Sequence, residues 1–217
     1  MHAERRRGLA LGAAIAAAIW WPASLHAQAG FTLVQLMQTL AQVKSGEATF
    51  TEKRSVAMLE RPLESSGRLS FEAPDTFVRE TLKPRRERMA IVGNTLTMSQ
   101  GTRSRTVPID AVPEASLIME AIRGTLTGNR ETLERNFIAT VSGTPQRWSL
   151  ELVPREPRLR EQVNAVRVSG QQALVREVAV ALADGDRSVM TIEPGTAGSS
   201  TTQPTAEPAA KPASAAG

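Results

Sequence analysis

Between Phe31 and Pro194 the spacing of apolar positions changes three times, and each change marks a boundary between helix and strand. Thr32-Leu33-Val34-Gln35 has the form of a capping box with Thr32 as N-cap, and Phe31 is placed to staple onto Leu36. Leu33, Leu36, Met37, Leu40 and Val43 follow at helical spacing, and Lys44 with Gly46 predicts the stop. From there the period falls to two. The alternation predicts strands over residues 48–56, 68–73, 76–82, 86–92, 95–99 and 103–107, with Pro74, Gly93-Asn94 and Gln100-Gly101 at the turns.

After Pro108 and Pro113 the helical period returns over 114–126, with Leu117, Ile118, Ala121, Ile122 and Leu126 on one face. Gly128-Asn129 breaks it, and a short helix over 130–136 leads into a second alternating run. Strands are predicted over 137–141, 148–152, 165–169, 174–181 and 188–193, with a Pro- and Arg-rich loop over 154–160. Asp184-Gly185-Asp186 reads as a hairpin turn, because it lacks the other ligands of a calcium loop. Helix, meander, helices, meander is an α+β order, and it predicts one strongly curved antiparallel sheet with the helices on its concave side.

A single interior gives the inward residues two readings. Phe50, Leu69, Phe71, Phe77, Met89 and Ile91 are ordinary core by composition, as are Leu96, Met98, Trp148, Leu150, Ile118 and Ile122. The functional reading makes them the wall of an acyl-chain cavity, to which adaptable methionine and leucine side chains are suited.

Both ends differ from this middle. Arg5, Arg6 and Arg7 precede an apolar run and then Ala27-Gln28-Ala29, the form of a secretory signal peptide over residues 1–29, cut near Gly30. An anchor is the alternative, but the run is Ala-rich and broken by Pro22, short of the roughly 20 strongly apolar residues that span a bilayer. Residues 195–217 are almost all Gly, Ala, Ser, Thr and Pro, which predicts a disordered tail. The expected domain is 30–194.

Charge and chemistry narrow the function. The leader holds three of the 26 Lys+Arg and one of the 22 Asp+Glu, leaving 23 against 21, a net of +2, too balanced for nucleic-acid binding. The basic run Lys83-Pro84-Arg85-Arg86-Glu87-Arg88 reads first as a solvated loop and strand edge, and otherwise as a contact for anionic headgroups or an acidic partner. There is no cysteine, so neither a disulfide framework nor a lipidated cysteine is expected. His2 and His26 both lie in the leader. Without imidazole or thiolate, His-based triads and ordinary zinc or transition-metal sites are excluded, and no phosphate loop or serine-nucleophile motif is present. The expectation is a non-enzymatic, periplasmic binding protein, monomeric and soluble, with no cofactor and no metal. The alternatives are a periplasmic sensor or assembly partner on the same scaffold, and an envelope hydrolase built on a carboxylate pair.

Ala48-Thr49-Phe50-Thr51-Glu52-Lys53, Gly67-Arg68-Leu69-Ser70-Phe71, Pro74-Asp75-Thr76-Phe77 and Gly93-Asn94-Thr95-Leu96 resemble, in order and spacing, the N-terminal half of the LolA family of periplasmic lipoprotein carriers. Leu126-Thr127-Gly128-Asn129 with Leu133 and Phe137, then Trp148-Ser149-Leu150-Glu151-Leu152-Val153-Pro154, looks like a divergent branch of it. The resemblance implies an incomplete antiparallel β-barrel with a helical lid. Its cavity would shield the acyl chains of a lipoprotein, or of another acylated lipid, taken from an inner-membrane transporter as donor and handed to an outer-membrane receptor as acceptor. Phe77 matches a cavity aromatic of that family. The family's arginine immediately before the proline, which helps hold the lid shut, is Ala73 here.

Overall fold

The structure is a computed structural model that describes residues 30–195; the expected signal peptide and nearly all of the expected tail lie outside the described residues. Helix α1 (Leu33–Leu40) starts at the capping box: the Gln35 N–H donates to Thr32 Oγ1 at 3.3 Å and the Thr32 N–H donates to Gln35 Oε1 at 2.9 Å. It ends at Leu40, before Val43, and the chain turns into the sheet through Lys44.

The first meander comprises β1 (Ser45–Ser55), β2 (Leu63–Glu72), β3 (Thr76–Lys83), β4 (Glu87–Val92), β5 (Thr95–Gln100) and β6 (Arg103–Pro108). A 3₁₀ turn at Ile109–Ala111 leads to α2 (Pro113–Leu126) and α3 (Arg130–Asn136). The second meander is β7 (Phe137–Thr144), β8 (Arg147–Pro154), β9 (Val163–Gln171), β10 (Leu174–Leu182) and β11 (Arg187–Pro194). Within the expected 154–160 loop, Pro157–Arg160 forms a single helical turn, α4, with proline at its first position.

All eleven strands form one antiparallel sheet in the order β6-β5-β4-β3-β2-β1-β11-β10-β9-β8-β7. The two meanders are joined where β1 pairs β11, from Ala48 opposite Pro194 to Ser55 opposite Arg187. The ends β6 and β7 do not meet, so the barrel is incomplete. The sheet therefore has the expected α+β form, open-sided and covered by helices.

Because side chains alternate across a strand, the register fixes one continuous inner face. Across the middle it runs Met89, Arg79, Leu69, Ala48, Pro194, and one row over Ile91, Phe77, Phe71. On the other wing Met190, Val178, Val168 and Leu150 stand in line.

The helices cover this face unevenly, and two cores result. The first packs α1, α3 and the Leu117–Ala121 side of α2 over β7 to β10, around Leu36, Leu40, Leu133, Phe137, Trp148, Leu150, Leu152 and Val166. Gly124 lets α2 approach α3 there, since a Cβ would stand 2.7 Å from Leu133 Cδ2. The second core is smaller, with Phe77, Ile91, Leu96 and Ile109 packed by Met119, Ile122 and Leu126 from the other side of α2. Helix α2 thus bridges both cores.

Candidate functional site

Between the two cores the inner face is roofed but not filled. A cavity of about 500 Å³ lies there, within the ~300–1,000 Å³ typical of small-molecule sites. Its floor is Ala48 on β1, Leu69 and Phe71 on β2, Val178 and Val180 on β10, and Met190 and Ile192 on β11. Ile118, Met119, Ile122 and Leu126 of α2 form the roof. Phe71 and Phe77 stack with centroids 5.1 Å apart and close the β3 side.

Eight of the twelve residues expected on the wall line this cavity: Leu69, Phe71, Phe77, Met89, Ile91, Leu96, Ile118 and Ile122. The other four face the same side of the sheet but stand elsewhere. Trp148 and Leu150 are 1 % and 0 % exposed in the first core, where α1 and α3 fill the space above them. Trp148 also donates its indole Nε1–H to the Gln172 carbonyl at 2.9 Å. Phe50 is buried beneath the Arg79 guanidinium, 4.6 Å from its ring centroid. Met98 lines a smaller adjoining cavity. The sequence reading missed Ala48, Met119, Leu126, Val178, Val180, Met190 and Ile192. Their strand parity or helical spacing was the signal available.

Polar side chains interrupt the lining, among them the ion pairs Arg79–Glu52 and Arg54–Asp186. Glu52, next along the inner face of β1 after Phe50, accepts from Arg79 Nη2 at 2.5 Å and from Ser65 Oγ at 3.1 Å through Oε2, and from Ser188 Oγ at 2.5 Å through Oε1. Burial pushes its carboxyl up, but the Ser188 hydroxyl, the Arg79 charge and the remaining hydrogen bonds outweigh that, leaving it below the ordinary carboxylate value. A depressed folded-state value stabilises the fold above the unfolded-state pKa of about 4.3, and that contribution is lost as pH falls through the folded value. Glu52→Gln is expected to cost about 1–3 kcal/mol at neutral pH and to flatten the loss of stability between pH 5 and 3, as read from urea midpoints across that range.

The roof is tethered from its own side. Arg123 of α2 donates through Nη2 to the Gly93 carbonyl of the β4–β5 turn at 2.6 Å and lies 6.0 Å from the Phe77 centroid. Its Nε is buried without a partner among the described residues. At Ala73 the backbone N–H donates to the Lys44 carbonyl at 2.7 Å. Arg123→Leu is expected to speed amide exchange across residues 113–126 by about tenfold, the equivalent of about 1.4 kcal/mol, with α1 and α3 little changed.

Among the described residues no group of three or more His, Cys, Asp and Glu is placed to hold a metal, and no helix is long and apolar enough to cross a membrane. The site offers a largely apolar hollow with two ion pairs, Arg79–Glu52 and Arg54–Asp186, in its lining.

No curated protein matches the chain by sequence. Among solved structures it is similar to a LolA superfamily protein from Nitrosomonas europaea, at 9% identity over 75% of this chain and 92% of that one, TM-score 0.41. It is also similar to a DUF1329 family protein from Desulfovibrio piger (8%, 74% and 88%, TM-score 0.43) and to LprF from Mycobacterium bovis (10%, 74% and 91%, TM-score 0.34). A family profile described as outer membrane lipoprotein carrier protein LolA-like matches residues 25–214, which takes in every strand and helix above. On that match the chain belongs to the LolA-like family of outer membrane lipoprotein carrier proteins.

Proposed function

We propose that the chain is a periplasmic carrier that shelters the acyl chains of a lipoprotein or another acylated lipid beneath α2, receives them from an inner-membrane transporter and delivers them to an outer-membrane receptor. The observation that carries this reading is the apolar, helix-roofed cavity of about 500 Å³ between two packed cores. Each methylene moved from water into such a space contributes about 0.8 kcal/mol, so about ten contribute on the order of 8 kcal/mol before the cost of ordering the chain. Holding cargo needs no chemistry. Release requires only a receiver in which the chains are better buried.

Native mass spectrometry of the protein isolated from periplasm is the test. Bound acylated species, displaced by added membranes, are expected. Persistent absence of lipid, with no uptake from vesicles, would remove the proposal. In protein lacking residues 1–29, Trp148 is the one remaining tryptophan, and its burial in the first core gives a second expectation. Its emission should not shift when cargo binds, whereas a tryptophan placed at Leu126, on the cavity roof, should respond.

A further inference from the structure

Beside the apolar hollow lies a second cavity of about 420 Å³, and Glu52, Arg54, Arg79 and Met89 line both. Beyond these shared residues the annex wall adds Ser65, Thr81, Glu87 and Gln100 from β2 to β5 beside Leu63 and Met98. An apolar hollow beside a more open recess that carries hydrogen-bonding groups matches a molecule with apolar chains and a polar head.

Arg79 stands at the junction, between Leu69 and Met89 in register. Its position is fixed from two sides. Nη2 donates to Glu52 Oε2 at 2.5 Å and to Ser65 Oγ at 3.2 Å, and the guanidinium rests over Phe50. Nε and Nη1 donate to no described residue, and both keep some exposure; the side chain is 29% exposed. A guanidinium has five N–H donors, so a fixed fork with donors to spare faces the boundary between the two spaces.

The local charge selects what those donors take. Glu52 already neutralises Arg79, and the annex sets Arg54, Arg79 and Arg85 against Glu52, Glu64 and Glu87. A site with no excess positive charge has little to offer a phosphate or a free carboxylate, which would also meet the Glu52 carboxylate at close range. An uncharged carbonyl oxygen needs only the donors.

We propose that Arg79 donates to the ester or amide carbonyls that link fatty acyl chains to their head, so that the chains fill the hollow and an uncharged or zwitterionic head begins in the annex. This rests on the acyl-carrier reading and adds to it a binding site for the linkage and a fixed orientation of the cargo.

Displacement of 1-aminoanthracene from the full protein by dodecane, methyl laurate and laurate tests it, with affinities compared as ratios within each variant. Methyl laurate is expected to bind about tenfold more tightly than dodecane, the effect of one hydrogen bond from a charged donor, and more tightly than laurate. In the double variant Arg79→Met with Glu52→Gln, which leaves no unpaired buried charge, the ester-to-alkane ratio should fall to near one. Arg79→Lys, which keeps a cation beside Glu52 but removes the fork, should lower it as well and serves if the double variant fails to fold. Equal binding of ester and alkane by the unaltered protein, or a ratio that survives these substitutions, overturns the role of Arg79. Tighter binding of laurate than of methyl laurate overturns the uncharged linkage. Failure of any chain, dodecane included, to displace the probe would instead overturn the carrier reading itself.

Discussion

Replacing Ala48 with tryptophan is expected to weaken binding of acyl ligands by at least about a hundredfold while leaving the fold intact. Ala48 sits mid-floor on β1, between Leu69 and Pro194 in register, and its methyl group faces the hollow. An indole there would occupy space that is empty in the folded chain, so it displaces no packed neighbour and avoids the usual cost of overpacking. A hundredfold is about 2.7 kcal/mol, the loss of three or four buried methylenes at about 0.8 kcal/mol each. Titration with a fluorescent acyl probe measures the first effect, and an unchanged urea midpoint the second. Unimpaired binding by a folded Ala48→Trp protein would place the ligand somewhere other than beneath α2.

Trp148→Ala should do the reverse, costing about 3–5 kcal/mol of stability. The indole is 1% exposed, lies against Gly170 so closely that a Cβ there would stand 2.6 Å from it, and donates to the Gln172 carbonyl. Truncation opens a cavity beneath α1 and α3 and leaves that carbonyl without its partner. Chemical denaturation should show the loss as a lowered midpoint at similar slope, and an effect below about 1 kcal/mol would contradict the packing described for the first core.

The contrast between these two positions shows what the pattern of residues carries and where it stops. Strand parity placed Trp148, Leu150, Phe50 and Leu69 on one face of the sheet, and all four are there. Which stretch of that face is filled depends on how α1, α2 and α3 lie across it, set in part by contacts between helices such as Gly124 on Leu133. Periodicity has no access to that placement, so filled core and open wall read alike. Phe50 was misplaced for a related reason: its cover is Arg79, from two strands away, and only the β1–β2–β3 register brings them together. The Thr32 cap and the turns at Gly93 and Gly101 were legible because each is a local matter of a few dihedral angles and one or two hydrogen bonds.

Strands β1 and β11 lie more than 130 residues apart in the chain yet meet at the centre of the sheet. A polypeptide that emerges N-terminus first must therefore carry β1 as a bare edge, its backbone donors and acceptors open to any passing strand, until the last segment arrives. Closure of so long a loop makes this seam a late event in assembly and leaves the waiting intermediate prone to self-association. A holdase that caps that edge in transit would act where the growing molecule is most exposed.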